Sequence, residues 1–176
     1  MSETIRYAQG DSSLGRFVVA ASAAGLVALQ FGAADTRLPE LERRFPQALF
    51  TADPQGLAAT VETARRLIEQ PGEPVDLPLD LRGSEFELRV WRALRKIPPG
   101  ETTHYGAIAA SLGTPRLSRE VGQACSDNLL AVIVPCHRVV KKDGSLSGYR
   151  WGQKLKRALL EREQAVAFHL TLQASG

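Results

Sequence analysis

Apolar positions along the chain fall into several distinct periods. Phe17 to Ala21 and Leu26 to Phe31 are short apolar runs on either side of Gly25 and predict two strands joined by a turn. Leu38 to Phe45 predicts a short helix with Pro39 in its first turn. Leu57, Val61, Ala64 and Ile68 recur at helical spacing and predict an amphipathic helix that Pro71-Gly72 stops. Val75, Leu77, Leu79 and Leu81 alternate with polar or Pro residues, as in a strand with one buried face; Pro78 places it at an edge or bulge. The first lobe, 1–82, is therefore expected to be α+β.

The pattern changes at Gly83. Ser84 can cap a helix carrying Phe86, Val90, Trp91 and Leu94, which Pro98-Pro99-Gly100 ends. Tyr105 to Leu112 predicts the next helix, closed by Gly113, and Thr114 can cap a third that begins near Pro115. Helix, tight glycine turn, helix is a helix-turn-helix pattern. The third helix carries Ser118, Gly122 and Ala124, small residues that permit close approach to another surface. Ala131 to Val134 predicts a buried strand that delivers Cys136. The second lobe is expected over 83–170, with a disordered tail at 171–176.

Charge sharpens this division. Residues 1–81 hold 7 Lys/Arg against 11 Asp/Glu, whereas residues 82–163 hold 15 against 8. The positive half suits a polyanion, since neutralising phosphates is the sequence-independent part of nucleic-acid affinity. It equally suits a solvated basic face without a partner. No stretch approaches the roughly 20 apolar residues of a membrane span, and Met1 to Gly15 lacks the pattern of a secretory signal. A cytoplasmic protein is expected.

The two cysteines, Cys125 and Cys136, do not suggest a disulfide framework. Nor do they form a metal site with His104, His137 and His169, which show no ligand spacing. No metal or cofactor is expected. Cys125 reads as an inert core thiol. Cys136 differs because His137 and Arg138 follow it, and a nucleophilic thiol needs a nearby base or positive charge.

Pro135-Cys136-His137-Arg138-Val139 resembles the active-site motif of the O6-alkylguanine-DNA alkyltransferases, with greatest likeness to the C-terminal repair domain of bacterial Ada proteins. The likeness runs from Ile5-Arg6-Tyr7-Ala8 through Leu79 to Gly83, Val90-Trp91, Gly100-Glu101-Thr102 and Tyr105 to Ser147-Gly148-Tyr149-Arg150-Trp151-Gly152 and Lys156 to Leu160. It implies a ribonuclease H-like N-terminal lobe with a small antiparallel sheet and helices. The C-terminal lobe would be mostly helical and winged-helix-like.

The resemblance also implies a chemistry. Cys136 would accept, irreversibly and once, the alkyl group of O6-alkylguanine in DNA, mainly O6-methylguanine and also O4-methylthymine. His137 would act as general base through a water, and Glu163 would orient it. Tyr105 would donate a proton to guanine N3, and Asn128 would supply hinge hydrogen bonds. The backbone carbonyls of Cys136 and Val139 would accept from the guanine amine. Arg119 would fill the gap left by the flipped nucleotide, with Pro115, Ser118, Gly122 and Tyr105 along the minor groove. Val139, Tyr149, Arg150, Trp151, Cys125 and Ala131 would line the base and alkyl pocket.

The expected partner is double-stranded DNA containing the lesion, with single-stranded DNA also accepted, no membrane, and a monomer. Many relatives carry Asn-Pro where this chain has Asn128-Leu129, and human-like members carry a small residue and Gly where it has Arg150-Trp151. Trp151 is expected to crowd the mouth of the alkyl pocket. The N-terminal metal domain of Ada has no counterpart here, so its phosphotriester repair and transcription-activator roles are not expected. The competing readings are a non-catalytic binder of alkylated DNA, a Cys–His hydrolase and a plain transcription regulator.

Overall fold

The computed structural model describes residues 2–175, with side chains described through residue 165. His169 and the side chains of the expected tail, 171–176, lie outside the described residues. The chain forms two compact units. The first is built from residues up to Glu69, Glu73–Arg82 and Leu129–Ala131; the second from Gln70–Gly72, Gly83–Asn128 and the chain from Val132 onward.

In the first unit, β1 (Glu3–Ser12), β2 (Gly15–Ala21) and β3 (Leu26–Phe31) precede α1 (Ala34–Arg44), β4 (Ala48–Ala52) and α2 (Ala58–Glu69). The sheet order is β3-β2-β1-β4. β1 and β2 pair antiparallel, as do β2 and β3, but β4 runs parallel to β1. The sheet is therefore mixed rather than purely antiparallel. All six residues of β3 are buried, so its apolar run faces protein on both sides. Ile5, Ala20, Val27, Ala28, Leu41 and Leu129 form a core cluster against which Tyr7, Phe45 and Phe50 pack.

Two expectations change in this unit, and β1 is a strand that was not expected. Gly10 of β1 is required by close packing: a Cβ there would meet Phe17 Cζ at 2.6 Å and Val61 Cγ1 at 2.7 Å. α1 starts earlier than expected, so Pro39 lies inside the helix rather than in its first turn. The alternating segment 75–81 is not a strand with a buried face. Only Leu79 bridges, to Leu26, and none of Val75, Leu77, Leu79 and Leu81 is buried. Alternation matched the period of a sheet, but this segment meets the strand array at a single point.

The second unit holds α3 (Glu85–Leu94), β5 (Thr103–His104), α4 (Tyr105–Ser111), α5 (Ser118–Ser126), a short 3-10 turn (Cys136–Arg138), β6 (Val139–Val140) and α6 (Gln153–Ser175). The α6 backbone is helical to Ser175, into the segment where a tail was expected. α3 begins with a capping box: Ser84 accepts from the Glu87 amide while the Glu87 side chain accepts from the Ser84 amide. Its Trp91 indole donates to the Ala124 carbonyl at 2.9 Å and so fixes α3 against α5.

α4 and α5 confirm the helix-turn-helix pattern with altered ends. The α4 cap is His104, whose Nδ1 accepts from the Ala107 amide. Thr114 does not cap α5. It closes the turn after α4 by donating to the Ala109 carbonyl, and α5 starts at Ser118 without a side-chain cap. Residues 131–134 turn rather than run as a strand, with Val132 at φ 70°. Among the described residues no helix is long and apolar enough to cross a membrane.

Candidate active site

Cys136 opens the 3-10 turn and is 5% exposed. Its Sγ accepts from Asn128 Nδ2 at 3.3 Å, and the same amide nitrogen donates to the Val134 carbonyl at 2.9 Å. One buried side chain thus ties the end of α5 to the segment that presents the thiol. Burial pushes the Cys136 thiol above its ordinary range, although the Asn128 hydrogen bond and the Lys156 charge pull the other way. The resting group is a neutral thiol, and a base must act to make the nucleophile.

The candidate base is next in sequence. His137 is fully buried, and its Nε2 lies 2.7 Å from Glu163 Oε1. Burial holds the imidazole below its ordinary value against the pull of Glu163. Burial alone would raise the Glu163 carboxyl, but hydrogen bonds from His137 and Arg138 outweigh it and hold it low. A neutral imidazole beside a carboxylate carries its proton on Nε2. Nδ1 is then the bare acceptor; it is buried and has no hydrogen-bond partner among the described residues.

α6 supplies the opposite wall. Lys156, Leu159 and Glu163 recur at helical spacing and are all buried, so two of the three buried positions are ionisable. Lys156 Nζ donates to the Val139 carbonyl at 2.7 Å, Ser147 Oγ at 2.9 Å and the Gly148 carbonyl at 3.2 Å. Burial lowers its proton affinity, partly offset by the nearby thiols. Ser147 Oγ in turn hydrogen-bonds Tyr105 Oη at 2.5 Å. Tyr105 is the first residue of α4, half-buried, with its phenol raised chiefly by burial.

The structure therefore brings Cys136, His137, Glu163, Asn128 and Val139 together, with Tyr105 linked through Ser147 and Lys156. Tyr149 stands edge-on to His137 with ring centroids 6.4 Å apart, and Trp151 edge-on to Tyr149 at 5.2 Å. Cys125 is buried on α5 with its thiol pushed up by burial, in keeping with an inert role. Arg150 is exposed and donates to the Ser126 carbonyl at the end of α5 at 2.8 Å. Ala131 is a buried residue of the first unit.

On α5 and the turn before it, Pro115 and Arg119 are exposed, and Ser118 and Gly122 half-buried. Arg119 has no hydrogen bond or ion pair among the described residues, with Glu120 or any other. A Cβ on Gly122 would meet only the Tyr105 ring, at 3.8 Å. The carbonyls of Cys136 and Val139 already accept bonds within the protein, from the Val139 amide and from Lys156.

Arg138, Ser147 and Lys156 carry site geometry that the sequence reading did not assign. Arg138 was visible inside the motif. Lys156 was visible as a polar residue on the same helical stripe as Leu159 and Glu163.

Residues 85–165 match the family described as 6-O-methylguanine DNA methyltransferase, DNA binding domain. The chain is 45% identical over 160 residues to the bifunctional transcriptional activator/DNA repair enzyme Ada of Escherichia coli, covering 90% of this chain and 45% of that protein. It is 42% identical over 168 residues to the regulatory protein ada of Salmonella typhimurium, covering 46% of it. The chain thus spans about half the length of these relatives.

It spans 94% of a methylated-DNA–protein-cysteine methyltransferase of Mycobacterium tuberculosis, at 39% identity over 165 residues and 93% of this chain. The crystal structure of Mycobacterium tuberculosis OGT in complex with DNA superposes with a TM-score of 0.77 at 37% identity, over 93% of this chain and 94% of that one. With 39% identity along nearly the full length of both chains and a buried Cys136-His137-Glu163 array, this chain belongs to the methylated-DNA–protein-cysteine methyltransferase family.

Proposed function

We propose that this protein repairs O6-alkylguanine in DNA by transferring the alkyl group to Cys136, once per molecule. The observation that carries the reading is the buried His137, which donates through Nε2 to Glu163 and leaves Nδ1 bare beside the residue that bears the thiol. Such a base serves a nucleophile that is neutral until used.

The Cys136 proton passes through a water to His137 Nδ1, and Glu163 stabilises the imidazolium. Sulfur attacks the alkyl carbon in line, a C–S bond forms, and the carbon–O6 bond breaks with its electron pair going to guanine. Tyr105 delivers its hydroxyl proton to N3, so the base leaves neutral. The positive charges of Lys156 and Arg150 act on the thiolate in the favourable direction. No step regenerates the thiol, because that would require the Cys136 thiolate, a poor leaving group, to be displaced from the alkyl carbon of the thioether.

DNA is the partner, as it is for the relative crystallised in complex with DNA. A guanine stacked in a duplex cannot reach a thiol that is 5% exposed, so the nucleotide must leave the stack. The exposed, unpaired Arg119 on α5 suits insertion from the minor groove, and the small side chains of Ser118 and Gly122 suit its narrow width. Single-stranded DNA is accepted at lower unstacking cost. The protein works as a monomer in the cytoplasm, bound to the chromosome when engaged. O4-methylthymine is a secondary substrate, since it presents the same alkyl–oxygen bond.

Intact mass measurement tests the reading. After mixing with excess duplex bearing O6-methylguanine, the protein gains one methyl group, and peptide mapping places it on Cys136. The Cys136→Ala variant gains nothing and still binds the modified duplex. Lesion loss beyond one per molecule, or an unmodified Cys136 peptide, would refute it.

A further inference from the structure

Glu163 receives more than the histidine. Its Oε1 takes His137 Nε2 at 2.7 Å and Arg138 Nη2 at 2.8 Å, while Arg138 Nε lies 3.1 Å from Oε2 and 3.2 Å from Oε1. The remaining guanidinium nitrogen, Nη1, donates to the Ile97 carbonyl. The planar fork is thus fixed across both carboxylate oxygens and anchored from behind. His137, Glu163 and Arg138 are 0%, 1% and 8% exposed.

We infer that Arg138 is a positioning residue for the transfer step: acting through Glu163, it keeps Nδ1 of His137 free of a proton and ready to receive one. The inference rests on the function proposed above. Neutral imidazole, carboxylate and guanidinium together carry no net charge, which a dry interior tolerates. Without the guanidinium, the remaining pair would be a buried anion, and such a pair lowers its free energy by binding a proton.

That proton has two places to go, and both disable the base. On the imidazole, it gives a ring with hydrogen on both nitrogens. On the carboxyl, Glu163 becomes the donor to Nε2, so Nε2 must be bare and the ring hydrogen moves to Nδ1. Either way Nδ1 carries hydrogen and accepts nothing from the thiol. The proton belongs to the pair rather than to one residue.

The other groups around the ring do not substitute for Arg138. Glu163 and Lys156 face it from α6, Cys136 and Arg138 belong to its own turn, and Tyr149 stands edge-on. α3 also packs on this turn and brings no charge that acts on the ring. Lys156 spends its three hydrogens on Val139, Ser147 and Gly148.

The test is single-turnover transfer from an O6-methylguanine duplex, followed against pH in Arg138→Met, Arg138→Lys and the double variant Arg138→Met/Glu163→Gln. In Arg138→Met the acid limb of the rate profile moves up by at least about one pH unit, so the rate at a pH on that limb falls about tenfold and alkaline pH restores it. Affinity for the duplex stays the same. Arg138→Lys keeps the positive charge and the wild-type limb. The double variant is again without net charge and returns the limb towards wild type, with a lower maximum because the carboxylate that stabilises the imidazolium is gone.

An unmoved limb in Arg138→Met, an equal shift in Arg138→Lys, or no return in the double variant would each overturn the inference. Nitrogen-15 spectra of the wild-type ring provide a readout that needs no variant and no transfer. Hydrogen on Nε2 alone at neutral pH is expected, and hydrogen on Nδ1 refutes the role. Failure of the function itself would show differently, as wild-type protein whose Cys136 stays unalkylated.

Discussion

His137 Nε2 and Glu163 Oε1 meet at 2.7 Å with neither residue more than 1% exposed. The contact joins the 3-10 turn to α6 across 26 residues of sequence. With the carboxylate as acceptor, the neutral ring carries its hydrogen on Nε2 and leaves Nδ1 as the free acceptor.

Burial of this pair makes stability depend on acid. The folded imidazole lies below its ordinary value of 6.5 because of burial, so as pH falls the unfolded chain takes up this proton before the folded one. Unfolding is then linked to proton uptake, and stability is lost as pH falls below 6.5. Glu163, held below its ordinary 4.5, extends the loss in the same direction at lower pH. The expected slope approaches about 1.4 kcal/mol per pH unit for one proton, read as a falling urea midpoint. His137→Gln removes the part due to the imidazole. A midpoint unchanged between neutral and mildly acidic pH would contradict this.

Trp151 and Tyr149 pack edge-on at 5.2 Å, extending a row of rings from His137. If that row borders the alkyl site, a bulky alkyl group must displace it, whereas a methyl group need not. The wild-type protein is expected to react faster with O6-methylguanine than with O6-benzylguanine in the same duplex. Trp151→Ala narrows the gap roughly tenfold, about the worth of one lost aromatic contact. Equal rates for the two adducts in the wild type would remove this role.

Arg119 is exposed on α5 and has no hydrogen bond or ion pair among the described residues. If it fills the gap in the base stack, Arg119→Ala slows repair of duplexes roughly tenfold while single strands, with little stacking to break, are nearly unaffected. The comparison is a pair of single-turnover rates on the two forms of one oligonucleotide. Equal slowing on both would assign Arg119 to general phosphate attraction.

Val132 adopts φ 70°, a left-handed conformation that strains a β-branched residue. Relief of about 1–3 kcal/mol outweighs the roughly 0.5–1 kcal/mol entropic cost of glycine. Val132→Gly is therefore expected to raise the unfolding free energy by about 1 kcal/mol. A lower melting temperature in that variant would show that the side chain contributes more by packing than its backbone costs.

What the sequence disclosed was mostly local. Ser84 with Glu87, and the glycine turn between α4 and α5, are written within a few residues and could be read directly. β1 was missed because Gly10, which looks like a breaker, is there to admit Phe17 and Val61. β4 owes its place to parallel pairing with a strand over forty residues away, which no local pattern records. Residues 131–134 have strand composition but turn at Val132, since neighbouring backbone geometry overrides β propensity. At the site, Cys136 and His137 stood out through their motif. Glu163 was placed by family likeness alone, and its fork with Arg138 only by folding.

The Asn128 amide holds both the Val134 carbonyl and the Cys136 sulfur in a nearly sealed interior. A sulfur that has taken up carbon is a poorer acceptor and a larger one, so the amide loses a bond and the packing gains an occupant. Overfilling a tight interior by a methylene costs about 1–3 kcal/mol. Each spent molecule is thus marked by its own chemistry, less well folded than a fresh one, and a cell's quality control could sort the two without reading the DNA at all.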